Sequence, residues 1–239
     1  MRSNRVDYDL SELDAVDKAL GCHIVDSLRV LSKNCGSHSM QKFLNRESYQ
    51  QVFRGEAEDP RALVQSLRMY GSQKKAGGEF SSSIQLPVIW YYRDMNMTSA
   101  EADDGNQWMG ACVSSDGSPK KFRVSMSKFL LSYRIAFVAH DKNTAQRLAL
   151  AWHFWVSDKV GGQHKFTVSY RIQDELFELP CVIQDPQTLT AENISVDHRA
   201  ESRLFALQVS HDVLVPALYG RQVVTDDPIR WQIGFKTLE

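Results

Sequence analysis

The chain has 239 residues, 43% of them hydrophobic and 24% charged, so it is long enough to bury a sizeable core as one large domain or two small ones. Its 28 basic and 29 acidic side chains leave a formal net charge of -1 with no run of like charges, which argues against a general nucleic-acid coat protein and a polybasic membrane binder. No window reaches the roughly 18 apolar residues of a bilayer span, and Met1 to Arg5 lacks the apolar stretch of a signal peptide. The expectation is a protein made and used in a cytoplasm, with Cys22, Cys35, Cys112 and Cys181 reduced and mostly buried.

Residues 11 to 33 place Leu13, Val16, Leu20, Ile24, Leu28 and Leu31 at spacings of three and four, which predicts an amphipathic helix. Ser11 with Asp14 supplies its start and Asn34 to Ser39 its stop. Asp59 and Pro60 announce a second helix, with Leu63, Val64, Leu67 and Tyr70 as its buried stripe and Gly71 at its end. From residue 81 the period becomes two: Ile84, Leu86, Val88, Trp90 and Tyr92 alternate with Gln85, Pro87, Ile89 and Tyr91, and Pro87 predicts an edge strand. Residues 94–120 are rich in Asp, Asn, Gly, Ser and Met and show no sustained period. They predict a long exposed excursion with room for a short hairpin around Trp108 to Val113.

A long strand follows from about Phe129 to His140, with Leu131, Tyr133, Ile135, Phe137 and Ala139 on one face. Asp141, Asn143 and Thr144 offer capping oxygens for a helix to about Val156, whose apolar face holds Ala145, Leu148, Ala149, Trp152, Trp155 and Val156. A third strand carries Phe166, Val168, Tyr170 and Ile172. Gln173 and Asp174 then turn the chain into a fourth with Phe177, Leu179, Cys181 and Ile183, a connection short enough only for a hairpin. After a polar link from Gln184 to Ala200, a fifth strand with Phe205, Leu207, Val209, His211, Val213 and Val215 on one face is expected to stop at Pro216. These stripes fit an α+β fold: a mainly antiparallel sheet with one helix across a face and flanking N-terminal helices.

Chemical constellations are few. Ser210-His211-Asp212 has the residue types of a catalytic triad, but neighbours on a strand point to opposite faces, which defeats triad geometry. Cys22-His23 and Cys35 with His38 do not have zinc-finger spacing, and the expectation is a buried Cys22 beside surface histidines. Glu175 and Glu178 fall on different sides of their strand and cannot work as an acid and base pair. Gly77-Gly78 and Gly161-Gly162 lack the pattern that wraps phosphate. Trp90, Tyr91, Tyr92, Trp152 and Trp155 are numerous enough for a base-stacking platform but fall mostly on core stripes. No enzyme activity, cofactor or metal is expected.

Four pieces of the chain, in order, carry a family resemblance. They are Ile84 to Trp90 (Ile-Gln-Leu-Pro-Val-Ile-Trp), Leu131 to Leu148 with Asn143 in its turn, Leu179-Pro180-Cys-Val-Ile183, and Arg203 to Val209 running on to Leu218-Tyr-Gly220. Over roughly residues 81 to 221 the chain resembles the tail-terminator and tail-sheath stabiliser proteins that close the tails of contractile phages. In that family a strand ends in a small polar turn, leads into a helix of Ala, Gln and Leu, then a hairpin with Pro in its second strand, then a final strand before an aromatic-Gly exit.

The resemblance implies a hexameric ring seated on the last ring of tail tube and sheath, halting polymerisation and offering a docking face to the head connector. DNA would pass through the channel without sequence-specific binding, for which the net charge of -1 permits a near-neutral wall. Such a protein belongs to the virion neck or tail, is assembled in the host cytoplasm and has no membrane partner. The expected organisation is an N-terminal helical region over 1–80, a core over 81–221 containing the excursion at 94–120, and an extension over 222–239. Interface residues are expected at Trp108 and Met109 in the excursion and at Arg221, Arg230 and Trp231 near the end. Two rival readings are a nucleic-acid or small-ligand binding module that uses the sheet face and its aromatics, and a hydrolase whose site is assembled from residues distant in sequence.

Overall fold

Alternation of large apolar and polar side chains puts most of the described chain into strands, and two amphipathic helices cover one side of them. The structure is a computed structural model and describes residues 8–31, 38–55, 86–100, 107–113, 119–158, 160–172, 175–185, 191–193 and 205–223. In chain order the elements are β1 (Tyr8–Leu10), α1 (Leu13–Ser27) extended by a 3-10 turn (Leu28–Val30), α2 (His38–Leu44), α3 (Ser48–Gln51), β2 (Val52–Arg54), β3 (Val88–Ser99) and β4 (Gln107–Val113). They continue as β5 (Pro119–Ala139), α4 (Lys142–Ser157), β6 (Lys165–Ile172), β7 (Glu175–Ile183), β8 (Ala191–Asn193) and β9 (Phe205–Val223). The helix expected over 59–71 lies outside the described residues.

The fold is α+β with one mainly antiparallel sheet in the order β2-β3-β5-β9-β7-β6, to which β4 is added on β5 and β1 and β8 on β9. Among the described residues only β2 and β3 run parallel. β5 and β9 form the axis: all 19 residues of β9 pair with β5, from Lys121 opposite Val223 to Ala139 opposite Phe205. A ladder of that length spans about 60 Å.

One half of this ribbon carries the core. Leu131, Tyr133, Ile135 and Phe137 alternate onto the face that α1 and α4 cover, where Val16, Leu20, Ile24, Leu148, Trp152 and Val156 meet them. The Asp141 carboxylate accepts the Thr144 N–H at 2.7 Å and starts α4 as its sequence requires. A smaller cluster on the other face packs Val88 and Trp90 against Ala136, Val138 and Ala206. In the other half of the ribbon the buried positions have the opposite parity, at Val124 and Leu218.

Several expectations change. Ser11 does not cap α1; its hydroxyl instead accepts the Leu218 N–H at 2.8 Å and its N–H donates to the Leu218 carbonyl, which fastens the chain to β9. The N-terminal region also provides two strands of the sheet, β1 and β2, besides its helices. Pro87 precedes β3, and β3 is not an edge, because β2 pairs along its first residues. In the excursion at 94–120 the described residues are mostly strand: β3 runs to Ser99, and β4, where a hairpin was allowed for, forms an antiparallel ladder with the start of β5. Its polar composition hid a period that cross-strand pairing supplies.

β9 likewise does not stop at Pro216. Asp212 accepts from the Gln184 N–H at 2.8 Å and Val182 pairs with Leu214, so two residues further in the same register Pro180 faces Pro216. Neither has an N–H to donate, and the β7–β9 ladder ends there. On its opposite border β9 still pairs with β5, where Pro216 owes no donor, so the strand continues to Val223. The freed Pro216 carbonyl accepts the Tyr170 hydroxyl at 2.8 Å, and β1 takes over the vacated border at Tyr219–Arg221.

Candidate functional site

The most strongly organised polar group lies where α1 crosses β2, β3 and β5. The Asp17 carboxylate, 2% exposed, accepts the Tyr133 hydroxyl at 2.5 Å and a guanidinium N–H of Arg54 at 2.6 Å, with Arg93 Nε at 3.4 Å. The Asp17 carbonyl accepts the Tyr91 hydroxyl at 2.8 Å. Arg54 also pairs with Asp14, which Lys18 approaches to 2.7 Å one turn away. The Lys18 and Arg54 bonds hold the Asp14 carboxyl down at about 2. Burial, followed by the hydrogen bond to Asp17, drives the Tyr133 hydroxyl far above its ordinary value, and burial pushes Tyr91 up to about 12. Each acid here is matched by a cation or a phenol, so the cluster is a clamp joining four elements and has no free base.

Gly21 makes the clamp possible. A Cβ at that position would stand 2.4 Å from the Tyr91 hydroxyl oxygen, so only glycine lets the phenol pass over α1 to Asp17.

A second cluster gathers histidines and indoles between α1, α4 and β9. His211 is buried while Ser210 and Asp212 are exposed, as strand alternation requires, and the Ser132 hydroxyl, not His211, reaches Asp212 at 2.5 Å. His211 Nε2 accepts the Trp152 indole N–H at 2.8 Å, which needs a neutral ring protonated on Nδ1. Burial takes its pKa down to about 4. His23 Nε2 stands 2.8 Å from the Gln163 carbonyl and 3.3 Å from Trp155 Nε1. One ring nitrogen cannot donate to the first and accept from the second, and the shorter contact places the proton on Nε2. Burial lowers the His23 pKa as well.

Here the expected pattern of cysteine and histidine is reversed. Cys22 is exposed and His23 is buried, because the helical stripe running Val16, Leu20, Ile24 takes in position 23 on its flank and leaves 22 outside. Cys22 borders an open groove of about 580 Å³ between Lys18 and Asp26 of α1 and Lys165 and Thr167 of β6. Cys181 is buried, which pushes its thiol up to about 12. Among the described residues no three His, Cys, Asp or Glu side chains are placed to hold a metal ion. Among them, too, no helix is long and apolar enough to cross a membrane. Trp90, Trp152 and Tyr91 are buried, so these aromatics form no open stacking surface.

The remaining candidate is the far half of the ribbon, a four-stranded arm in the order β4-β5-β9-β1. Here the expected interface residues separate. Met109 is the register partner of Arg123, Arg123 of Arg221, and Arg221 of Tyr8, so Met109 and Arg221 share one cross-strand row. Trp108 pairs with Val124 and so belongs to the opposite face. Arg230 and Trp231 lie outside the described residues.

Compared with known families and curated proteins, the chain matches no family model and no curated sequence.

Proposed function

We propose that this chain is a structural subunit of a phage neck or tail that assembles as a hexameric ring, caps the tail tube and sheath, and presents a docking face to the head connector. The observation that carries the reading is the ribbon of β5 and β9. Its ladder outruns the helix-covered core and ends in a four-stranded arm, a rigid way to project a surface towards a neighbour. The order of strand, capped helix, Pro-bearing hairpin and long final strand is the order on which the family resemblance rests.

A subunit of this kind halts a polymer when one face matches the exposed ring and the other does not, and no reactive side chain is needed. The histidines and acids that invite a catalytic reading are engaged internally: His211 with Trp152, His23 with Gln163 and Asp17 with Arg54 and Tyr133. Tube, sheath and connector are the partners of this reading, and DNA passes through the channel.

Light scattering after size exclusion tests the assembly. The expected mass is six times 27.2 kDa, free or on added tail tubes. A monomer that binds no virion component, or normal particles from a phage lacking this chain, overturns the proposal. Over-long or headless tails in that mutant support it.

A further inference from the structure

The helix α4 is apolar on two sides. Ala145, Leu148, Ala149, Trp152 and Val156 are buried beneath it, yet Leu150 and Phe154 on its outer side are 43% and 61% exposed. A helix that only covers a sheet is polar on its outer side, so the fold itself does not call for this second apolar strip. Arg147, Leu150 and Phe154 are three and four residues apart and stand one above another along it.

The charges at the two ends of α4 add a direction. Between Lys142 and Ser157 the helix holds no Asp or Glu. Its first residue is the exposed Lys142, and the exposed Asp158 stands just past its last. Asp158 Oδ1 accepts the Gly161 N–H at 2.9 Å, which fixes the carboxylate at the helix end. Both charges have the wrong sign for the helix they flank, because an N-terminus favours anions and a C-terminus cations.

We infer that the outer face of α4 is a two-fold contact between two copies of this chain, with the helices antiparallel and Leu150 on the axis. In that arrangement Lys142 of each copy meets Asp158 of the other, and Arg147 of each lies beside the Phe154 ring of the other as a cation over an aromatic face. The helix dipoles then oppose, so each misplaced charge gains a terminus of the sign it needs. A parallel pair would set Lys142 against Lys142 and Arg147 against Arg147, so charge selects the direction. The contact runs along one 16-residue helix, a length of about 24 Å, and interfaces of that size are transient. The inference goes beyond the ring reading and does not rest on it: a ring closes through a contact between unlike surfaces, whereas this contact joins like surfaces.

The test is disulfide trapping of the full chain with copper-phenanthroline, in a Cys22→Ser background that removes the exposed native thiol. Leu150→Cys lies on the axis and faces its own copy, so a covalent dimer of twice 27.2 kDa should form above the level of the same chain without the added cysteine. Asn143→Cys, two turns away on the same side, should form none, because antiparallel packing puts it about 21 Å along the axis from its counterpart. Phe154→Asp added to Leu150→Cys should cut the dimer yield about tenfold. Phe154 is exposed, and an unchanged urea midpoint shows that the substitution leaves the fold intact.

No dimer from Leu150→Cys overturns the inference. So does trapping at position 143 as readily as at 150, which a parallel pair or random collision would give, or a yield that Phe154→Asp leaves unchanged. The mass of the Phe154→Asp chain by light scattering is measured alongside, so loss of trapping with an intact ring, or the converse, separates this inference from the ring assignment.

Discussion

The two halves of the β5–β9 ribbon are held together differently. Around Tyr133 each acid of the clamp has a partner: the buried Asp17 is held by Tyr133 and Arg54, and the more exposed Asp14 by Lys18 and Arg54. Charges in the first half bind elements of one chain together and are satisfied within it. In the arm the order comes from the backbone ladders of β4 with β5 and of β1 with β9.

The comparison breaks most visibly in the helix-covered half. Trp152→Ala removes a fully buried indole and the donor to His211, and should cost about 3–5 kcal/mol in urea unfolding. A loss below about 1 kcal/mol would mean that α4 does not pack on the sheet as described. Asp17→Ala should cost roughly 3 kcal/mol, since it strands the buried Tyr133 hydroxyl and leaves Arg54 with Asp14 alone. In a double-mutant cycle with Tyr133→Phe the two should couple by about 1–2 kcal/mol, and simple additivity would remove Tyr133 from the clamp.

A pH series sharpens the same half. The folded pKa of His211, about 4, lies below its ordinary 6.5, so the unfolded chain binds the proton more readily. The resulting stability is therefore complete above pH 6.5 and is lost as pH falls towards 4. Between pH 7 and 5 the loss should be about 2 kcal/mol. His211→Gln keeps an acceptor for Trp152 but cannot titrate, and should flatten that part of the profile; an unchanged slope refutes the assignment.

Gly21→Ala should lower stability by about 1–2 kcal/mol. An ordinary helix position would instead gain up to about 1 kcal/mol from the same change. Tyr91→Phe should recover part of the loss, and a net gain from Gly21→Ala alone would show that the phenol does not cross α1 there.

Much of the fold is legible in the sequence wherever one period rules a segment. Val16, Leu20 and Ile24 announce α1, Asp141 starts α4, and Phe166 to Ile172 alternate buried and exposed along β6 without exception. Elements held by partners distant in sequence are less visible. β2 has three residues and exists through its ladder with β3, and β4 draws its order from β5. Of the residues expected at an interface, Met109 and Arg221 share one cross-strand row through Arg123, a relation that only register reveals. The clamp at Asp17 was invisible, because Asp17, Arg54, Arg93 and Tyr133 are too far apart in sequence for any spacing to relate them.

By itself the sequence determined the fold class, the helix that crosses the sheet, the hairpin of β6 and β7, and the burial of His211 away from triad geometry. These follow from side-chain period and from capping, which act within a few residues. Only the tertiary structure decided that β9 passes through Pro216, that Cys22 faces outward while His23 is buried, and that Arg123 meets Arg221. Each of those depends on which strand or helix lies alongside, and a neighbour brought in from a hundred residues away leaves no mark in the local pattern.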